Sequence, residues 1–194
     1  MLSDIFKMVL STLKDPREGA SNILAFAPTR QMLWFSMIVV VIISILMSEI
    51  ANYMLPVVPD NTIIVVMDIP LLAAGILMFI MVVMIYCTHY IGQACGGNGR
   101  LDESFSVVIW LQSIMISLQL LQLLIIPFFP NLAVVFGLFG GVVFFWLYIN
   151  FVTVLHGFNS LGKVTVGVIF SIVGVFFVFS LVVGALVSIL QIGV

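Results

Sequence analysis

The stretch LAVVFGLFGGVVFFWLYINFVTVL, residues 132–155, holds no charged side chain from end to end. It exceeds the roughly 20 apolar residues that a helix needs to cross the hydrocarbon core of a bilayer. Four further runs match it in character: residues 32–53, 69–91, 105–126 and 164–192. None shows the strict apolar–polar alternation of a barrel strand, and only helices or closed barrels satisfy their backbone inside lipid. The expected fold class is therefore all-α, a polytopic membrane bundle of five transmembrane helices. Composition agrees. The chain is 63% hydrophobic and 7% charged, whereas a soluble domain carries about 25% charged residues. Run five is long enough to tilt or to end in the far headgroup layer.

Working outward, the connections are short. Pro56-Val57-Val58-Pro59-Asp60-Asn61 parts the first two runs and Pro127-Phe128-Phe129-Pro130-Asn131 parts the third and fourth. Such proline turns imply antiparallel neighbours. Gly92 to Glu103 and His156 to Lys163 form the other two connections, both polar and glycine-containing. Ahead of the runs, Leu2, Ile5, Phe6, Val9, Leu10 and Leu13 recur near helical spacing with Asp4, Lys7, Ser11 and Lys14 between them. This predicts an amphipathic helix capped by Ser3 and stopped at Asp15-Pro16. Little soluble protein exists for it to pack on, so the membrane interface is its expected seat. A linker, Arg17 to Arg30, follows. The division expected is residues 1–30, a helix and linker in the cytoplasm, and residues 31–194, the membrane domain. The first residues mix acids with bases, so no cleavable signal peptide is expected.

The basic residues orient the chain. Lys7, Lys14, Arg17, Arg30, Arg100 and Lys163 all fall on one side of a five-span topology. The positive-inside rule then places the N-terminus in the cytoplasm and the C-terminus outside. Four or six spans would split the set.

Ionisable groups at mid-membrane mark pumps and transporters, and this chain is poor in them. Glu49 and Asp68 fall near the outer helix ends, where each can reach water. A channel lined by backbone carbonyls is not excluded by this scarcity. His89, Cys87, Cys95, Asp102, Glu103 and His156 lie near the cytoplasmic ends, but their spacing fits no CxxC or HxxxH pattern, so no metal site and no cofactor is expected. The cysteines are expected as reduced thiols facing the cytosol. No Ser/His/Asp set, phosphate loop or basic nucleic-acid patch occurs, and no enzymatic activity is expected. Run three carries Gln112, Ser113, Ser117, Gln119 and Gln122. Polar side chains in lipid seek partners on neighbouring helices. The seam reads first as helix–helix bonding and second as a polar path through the bundle. Gly137, Gly140, Gly141, Gly167, Ser171 and Gly174 permit close helix approach, within one chain or between copies.

Three loop stretches carry a resemblance. Asp15-Pro16-Arg17-Glu18-Gly19-Ala20, Gly96-Gly97-Asn98-Gly99-Arg100-Leu101-Asp102-Glu103-Ser104-Phe105 and His156-Gly157-Phe158-Asn159-Ser160-Leu161-Gly162-Lys163-Val164 resemble signatures of the bacterial branch of the Yip1 domain family. The resemblance implies five spans, a cytoplasmic N-terminus and a bacterial inner-membrane location. Eukaryotic members associate with small GTPases and carry an Asp-Leu-Tyr-Gly-Pro motif that is absent here, so GTPase binding is not carried over. The family offers no catalytic residues to transfer.

These readings converge on a non-enzymatic membrane interaction protein, a scaffold or accessory subunit, with lipid, other membrane proteins or its own copies as partners. Gly96, Gly97, Gly99, Arg100 and Asp102 are expected to shape one cytoplasmic contact loop, and His156, Gly157 and Lys163 the other. The alternative is a small solute or ion transporter, or a channel, using the polar face of run three with Glu49 or Asp68.

Overall fold

The computed structural model describes residues 2–54, 69–174 and 177, with side chains from Phe6 onward. Its elements among these residues are α1 (Leu2–Lys14), α2 (Pro16–Ala25), α3 (Arg30–Met54), α4 (Pro70–Ala94), α5 (Leu101–Ile125), α6 (Pro130–His156) and α7 (Leu161–Gly174). The described residues contain helices and no strand. Four helices, α3 to α6, are long and apolar enough to cross a membrane. This is an all-helical membrane bundle. The fifth expected run is described only as α7, which by itself is shorter than a span, and Phe177; the rest of that run lies outside the described residues. So do the proline turn at 56–61 and Asp68.

Helix ends follow local chemistry. Pro16 starts α2 as well as ending α1. The Asp15 carboxylate accepts from the Arg17 and Glu18 amides at 3.0 and 3.1 Å, and proline at the first helical position gives up an N–H that has no helical partner anyway. The expected linker at 17–30 is thereby corrected: most of it is helix. α5 begins at Leu101, ahead of the apolar run, because the Glu103 carboxylate reaches back to accept the Arg100 amide at 2.7 Å. The Pro127–Pro130 turn joins α5 to α6 through Phe129, whose amide donates to the Ile125 carbonyl at 2.9 Å.

α5 is the central helix and packs against α2, α3, α4 and α6. Its two faces serve two cores. Phe105, Val108 and Ile109 meet Leu33, Met37, Val40 and Val41 of α3 and Met81 and Ile85 of α4. Val107, Leu111 and Ile114 meet Leu147, Phe151 and Leu155 of α6, with Val9 of α1 and Ala20 of α2 completing the cluster. Trp34 stacks edge-on against Phe105 with ring centres 5.1 Å apart. A smaller cluster of Val152, Val164 and Val168 ties α7 to α6. Leu138, Val142, Phe139, Leu124 and Phe79 stay exposed, as side chains facing lipid do.

α1 does not lie free of the protein. Val9 and Thr12 are buried, and the Trp110 indole N–H donates to the Thr12 hydroxyl at 3.3 Å. Gly19 of α2 lets the helices close on Thr12: a Cβ there would stand 2.5 Å from the Thr12 side chain. One face of α1 thus packs on α2 and α5, although little soluble protein was expected for it to pack on.

Between the spans the polar seam divides. Gln112 donates across to the Ser44 hydroxyl of α3 at 2.8 Å, and Gln122 to the Ala133 carbonyl of α6 at 3.0 Å. Ser113 and Ser117 bond back to the Ile109 and Ser113 carbonyls of their own helix. Replacing Gln112 by leucine is expected to cost about 0.6–2 kcal/mol, the range for one interhelical bond in lipid. Equilibrium unfolding in mixed detergent micelles checks this, with Ser113→Ala as a comparison that removes no interhelical bond and stays within about 0.5 kcal/mol.

Candidate functional site: a buried histidine at the basic end

The last two turns of α6 carry Asn150, Thr153 and His156, all buried. His156 is 2% exposed. A buried imidazole needs partners for both ring nitrogens. Here the Gly99 amide donates to Nδ1 at 3.2 Å, and Nε2 stands 2.9 Å from the Thr88 carbonyl of α4. Since Nδ1 receives an N–H, the proton belongs on Nε2, which donates to Thr88. The ring therefore sits in its neutral form as a two-ended clamp. One end holds the α4–α5 loop and the other holds α4.

The loop is built around that ring. A Cβ on Gly92 would fall 2.1 Å from His156 Nε2, and one on Gly97 2.5 Å from its Nδ1. Both positions tolerate only hydrogen at that approach. Gly96 turns the chain at φ +86°, in the left-handed region that glycine enters without strain. Its amide and that of Gly97 close on the Gln93 and Gly92 carbonyls, each at 2.9 Å. The Asn98 amide approaches the His156 carbonyl at 3.4 Å. On the other side Gly157, at φ +69°, ends α6 with a left-handed cap, and the Phe158 amide returns to the Thr153 carbonyl at 2.9 Å.

Supporting bonds surround the clamp. The Thr88 hydroxyl donates to the Met84 carbonyl at 2.6 Å and pairs with the Tyr148 hydroxyl of α6 at 2.8 Å. The Arg17 guanidinium of α2 donates from Nε to the Asn150 side-chain oxygen at 3.4 Å, while Asn150 donates to the Trp146 carbonyl. Arg30 and Asp102 pair at 3.7 Å with both side chains substantially exposed, which contributes little, ~0–1 kcal/mol. Beside them lies a shallow cavity of about 110 Å³ between Leu24, Pro28 and the Arg100–Ser106 turn of α5. Its rim includes Ala27, held at φ +38°, a conformation that costs a non-glycine residue ~1–2 kcal/mol.

The sequence-nominated residues therefore fall into three groups. Gly97, Gly99 and His156 meet directly, with Gly96 and Gly157 turning the chain on either side. Arg100, at the start of α5, and Lys163, at the start of α7, are exposed on the outer surface of the same end, while Asp102 beside Arg100 is half-buried with its Oδ1 out of solvent. Glu49, Gln112, Ser113, Ser117, Gln119 and Gln122 lie along the spans, away from the clamp; Gln119 Oε1 is buried and lacks a hydrogen-bond partner among the described residues. Thr88, Gly92, Tyr148, Asn150 and Arg17 were not nominated. Asn150, the one carboxamide inside the uncharged stretch 132–155, was a readable signal; Thr88 and Gly92 were not, because their role depends on which helix lies opposite. Cys87 is half-buried, Cys95 exposed, and both are free thiols. Among the described residues no three His, Cys, Asp or Glu side chains gather closely enough to hold a metal.

Replacing His156 by alanine strands the Gly99 amide, removes the extra bond to the Thr88 carbonyl and opens a cavity, an expected loss of about 2–5 kcal/mol. Gly92→Ala and Gly97→Ala are expected to destabilise similarly by forcing the ring out. Gly141→Ala and Gly167→Ala add a methyl to open space and should stay within about 0.5 kcal/mol of the parent. Thermal unfolding of the detergent-solubilised chain separates the two sets.

Compared with known proteins, the chain matches no curated protein and no solved structure. Among family models, the Yip1 domain matches across residues 10–182. That match takes in α2 to α6 with their loops, including the histidine clamp, and so covers nearly the whole chain. The chain belongs to the Yip1 domain family.

Proposed function

We propose that this chain is a non-enzymatic membrane interaction protein, a scaffold or accessory subunit that presents a rigid basic end to other membrane proteins or to its own copies. The observation that carries the reading is the histidine clamp. Both ring nitrogens of His156 are committed to backbone partners, leaving neither free to move a proton. What the clamp does instead is fix the shape of a surface. It binds the Cys95–Arg100 loop to the ends of α4 and α6, and Arg100 and Lys163 stand exposed on either side of it. Short loops held on rigid helices are good recognition surfaces because little order is lost on binding. The family match supports a membrane role and is neutral about the partner. In this reading the basic end faces the cytoplasm of a bacterial inner membrane, and the C-terminus faces the periplasm.

A second reading is a small transporter or channel. One atom favours it: Gln119 Oε1, buried without a hydrogen-bond partner, marks a place in the α5 seam where a solute or water would find an acceptor.

Extraction from native membrane in nanodiscs, followed by mass analysis, distinguishes the two. The interaction reading expects a stoichiometric partner or a homo-oligomer that is lost when Arg100 and Lys163 are both replaced by glutamate, with His156→Ala weakening it through the loop. A lone chain that supports solute flux in vesicles, with flux abolished by Gln119→Leu, would replace the scaffold reading with the transporter.

A further inference from the structure

The level at which α1 is held can be read from the aromatic side chains of the spans. At about 1.5 Å per residue, Trp110, Trp146, Tyr148, Tyr86 and Tyr90 lie roughly 6–15 Å along their helices from the basic ends of α5, α6 and α4. Trp and Tyr gather at that depth because an apolar ring with one polar tip fits the boundary between acyl chains and headgroups. Trp110 is the member that α1 touches: its indole N–H donates to the buried Thr12 hydroxyl. α1 is thus fastened to a spanning helix at the level of these aromatic side chains.

The opposite arc of α1 is unpartnered. Phe6 is 61% and Leu10 43% exposed, and they stand one turn apart. Lys7 and Lys14, two turns apart, are exposed along the adjacent edge. The acid nearest the second lysine, Asp15, turns its carboxylate to the α2 amides. An apolar pair flanked by lysines is the pattern of a helix lying in the plane of a membrane, with long cationic side chains reaching back to phosphates.

We propose that the outer face of α1 is a lipid-binding surface for anionic phospholipids in the leaflet at the basic end. Phe6 and Leu10 enter the acyl region, and Lys7 and Lys14 meet the phosphates of anionic headgroups. Three observations on one helix carry this: the Trp110–Thr12 bond sets the depth, the exposed apolar pair sets the direction, and the lysine edge sets the charge. The site is independent of any protein partner of the Cys95–Arg100 loop.

The test uses the full chain in vesicles. Single cysteines at position 10 (Leu10→Cys) or 11 (Ser11→Cys), in a background of Cys87→Ala and Cys95→Ser, carry a nitroxide label. Collision with oxygen, which concentrates in lipid, is compared with collision with a water-soluble nickel chelate. Trp emission of each variant is matched to the parent to verify the packed state. The expected oxygen-to-nickel ratio is several-fold higher at position 10 than at position 11. At position 10 it rises further when phosphatidylglycerol is added to phosphatidylcholine vesicles, and Lys7→Gln with Lys14→Gln abolishes that rise. Equal aqueous exposure at both positions would overturn the proposal, as would protection of position 10 from both reagents, which means a protein covers the face. A ratio at position 10 indifferent to phosphatidylglycerol would overturn the headgroup assignment.

Discussion

The neutral His156 ring, bonded at one nitrogen to Gly99 and at the other to Thr88, is the constraint on which the basic end of the bundle depends. Two helices and a loop meet there: α6 supplies the ring, and α4 and the loop each supply a polar backbone group that lies out of reach of bulk water. Backbone groups in such places need a partner. One side chain that accepts on one edge and donates on the other satisfies both at once. An uncharged imidazole in this tautomer does so; a lysine or arginine could not accept, and an aspartate could not donate.

Much of the surrounding sequence follows from seating that ring. Gly92 and Gly97 are glycine because the ring occupies the space of a side chain. Gly96 and Gly157 are glycine because the chain must turn through positive φ to bring loop and ring together. Tyr148 and Thr88 then lock α4 to α6 one level deeper into the bundle, and the buried Phe105, Val107, Val108 and Leu111 of α5 fill the apolar space alongside. Burial concentrates at this end, while helix faces farther along present Leu138, Phe139 and Val142 outward. A membrane gives no hydrophobic reward for helix–helix contact, since lipid is as apolar as leucine. Specific polar bonds and close glycine contacts must therefore supply the fixed geometry, and both cluster where His156 lies.

The fold class was legible in the sequence because it depends on composition and run length, which are local. The uncharged stretch 132–155 falls within α6 (Pro130–His156), and the expected span 105–126 closely tracks α5. Pro16 was misjudged for a physical reason: proline both ends one helix and opens the next, and the second role needed the Asp15 cap to be recognised. The loop glycines and His156 were nominated, but as two separate loops. Their joining is a tertiary fact. Nothing in the spacing of Gly92, Thr88 and His156 says that α4 and α6 place them within hydrogen-bond distance. The in-span glutamines divide in the same way: Gln112 and Gln122 face different neighbours, α3 and α6, which only the packing of α5 decides.

The same logic separates what is rigid in this molecule from what is free to interact. His156, Thr88 and Tyr148 have spent their hydrogen bonds internally, so substitutions there act on stability first. Arg100 and Lys163 ride on the surface those bonds hold, with Asp102 half-buried among them, and the outer face of α1 is proposed to meet lipid beside Trp110. A chain with few charged residues thus keeps almost all of its cationic side chains at one end, on elements whose positions are set by buried neutral groups beneath them. In the proposed function charge supplies contact there and the clamp supplies shape. Because the two are carried by different residues, each can be altered without the other.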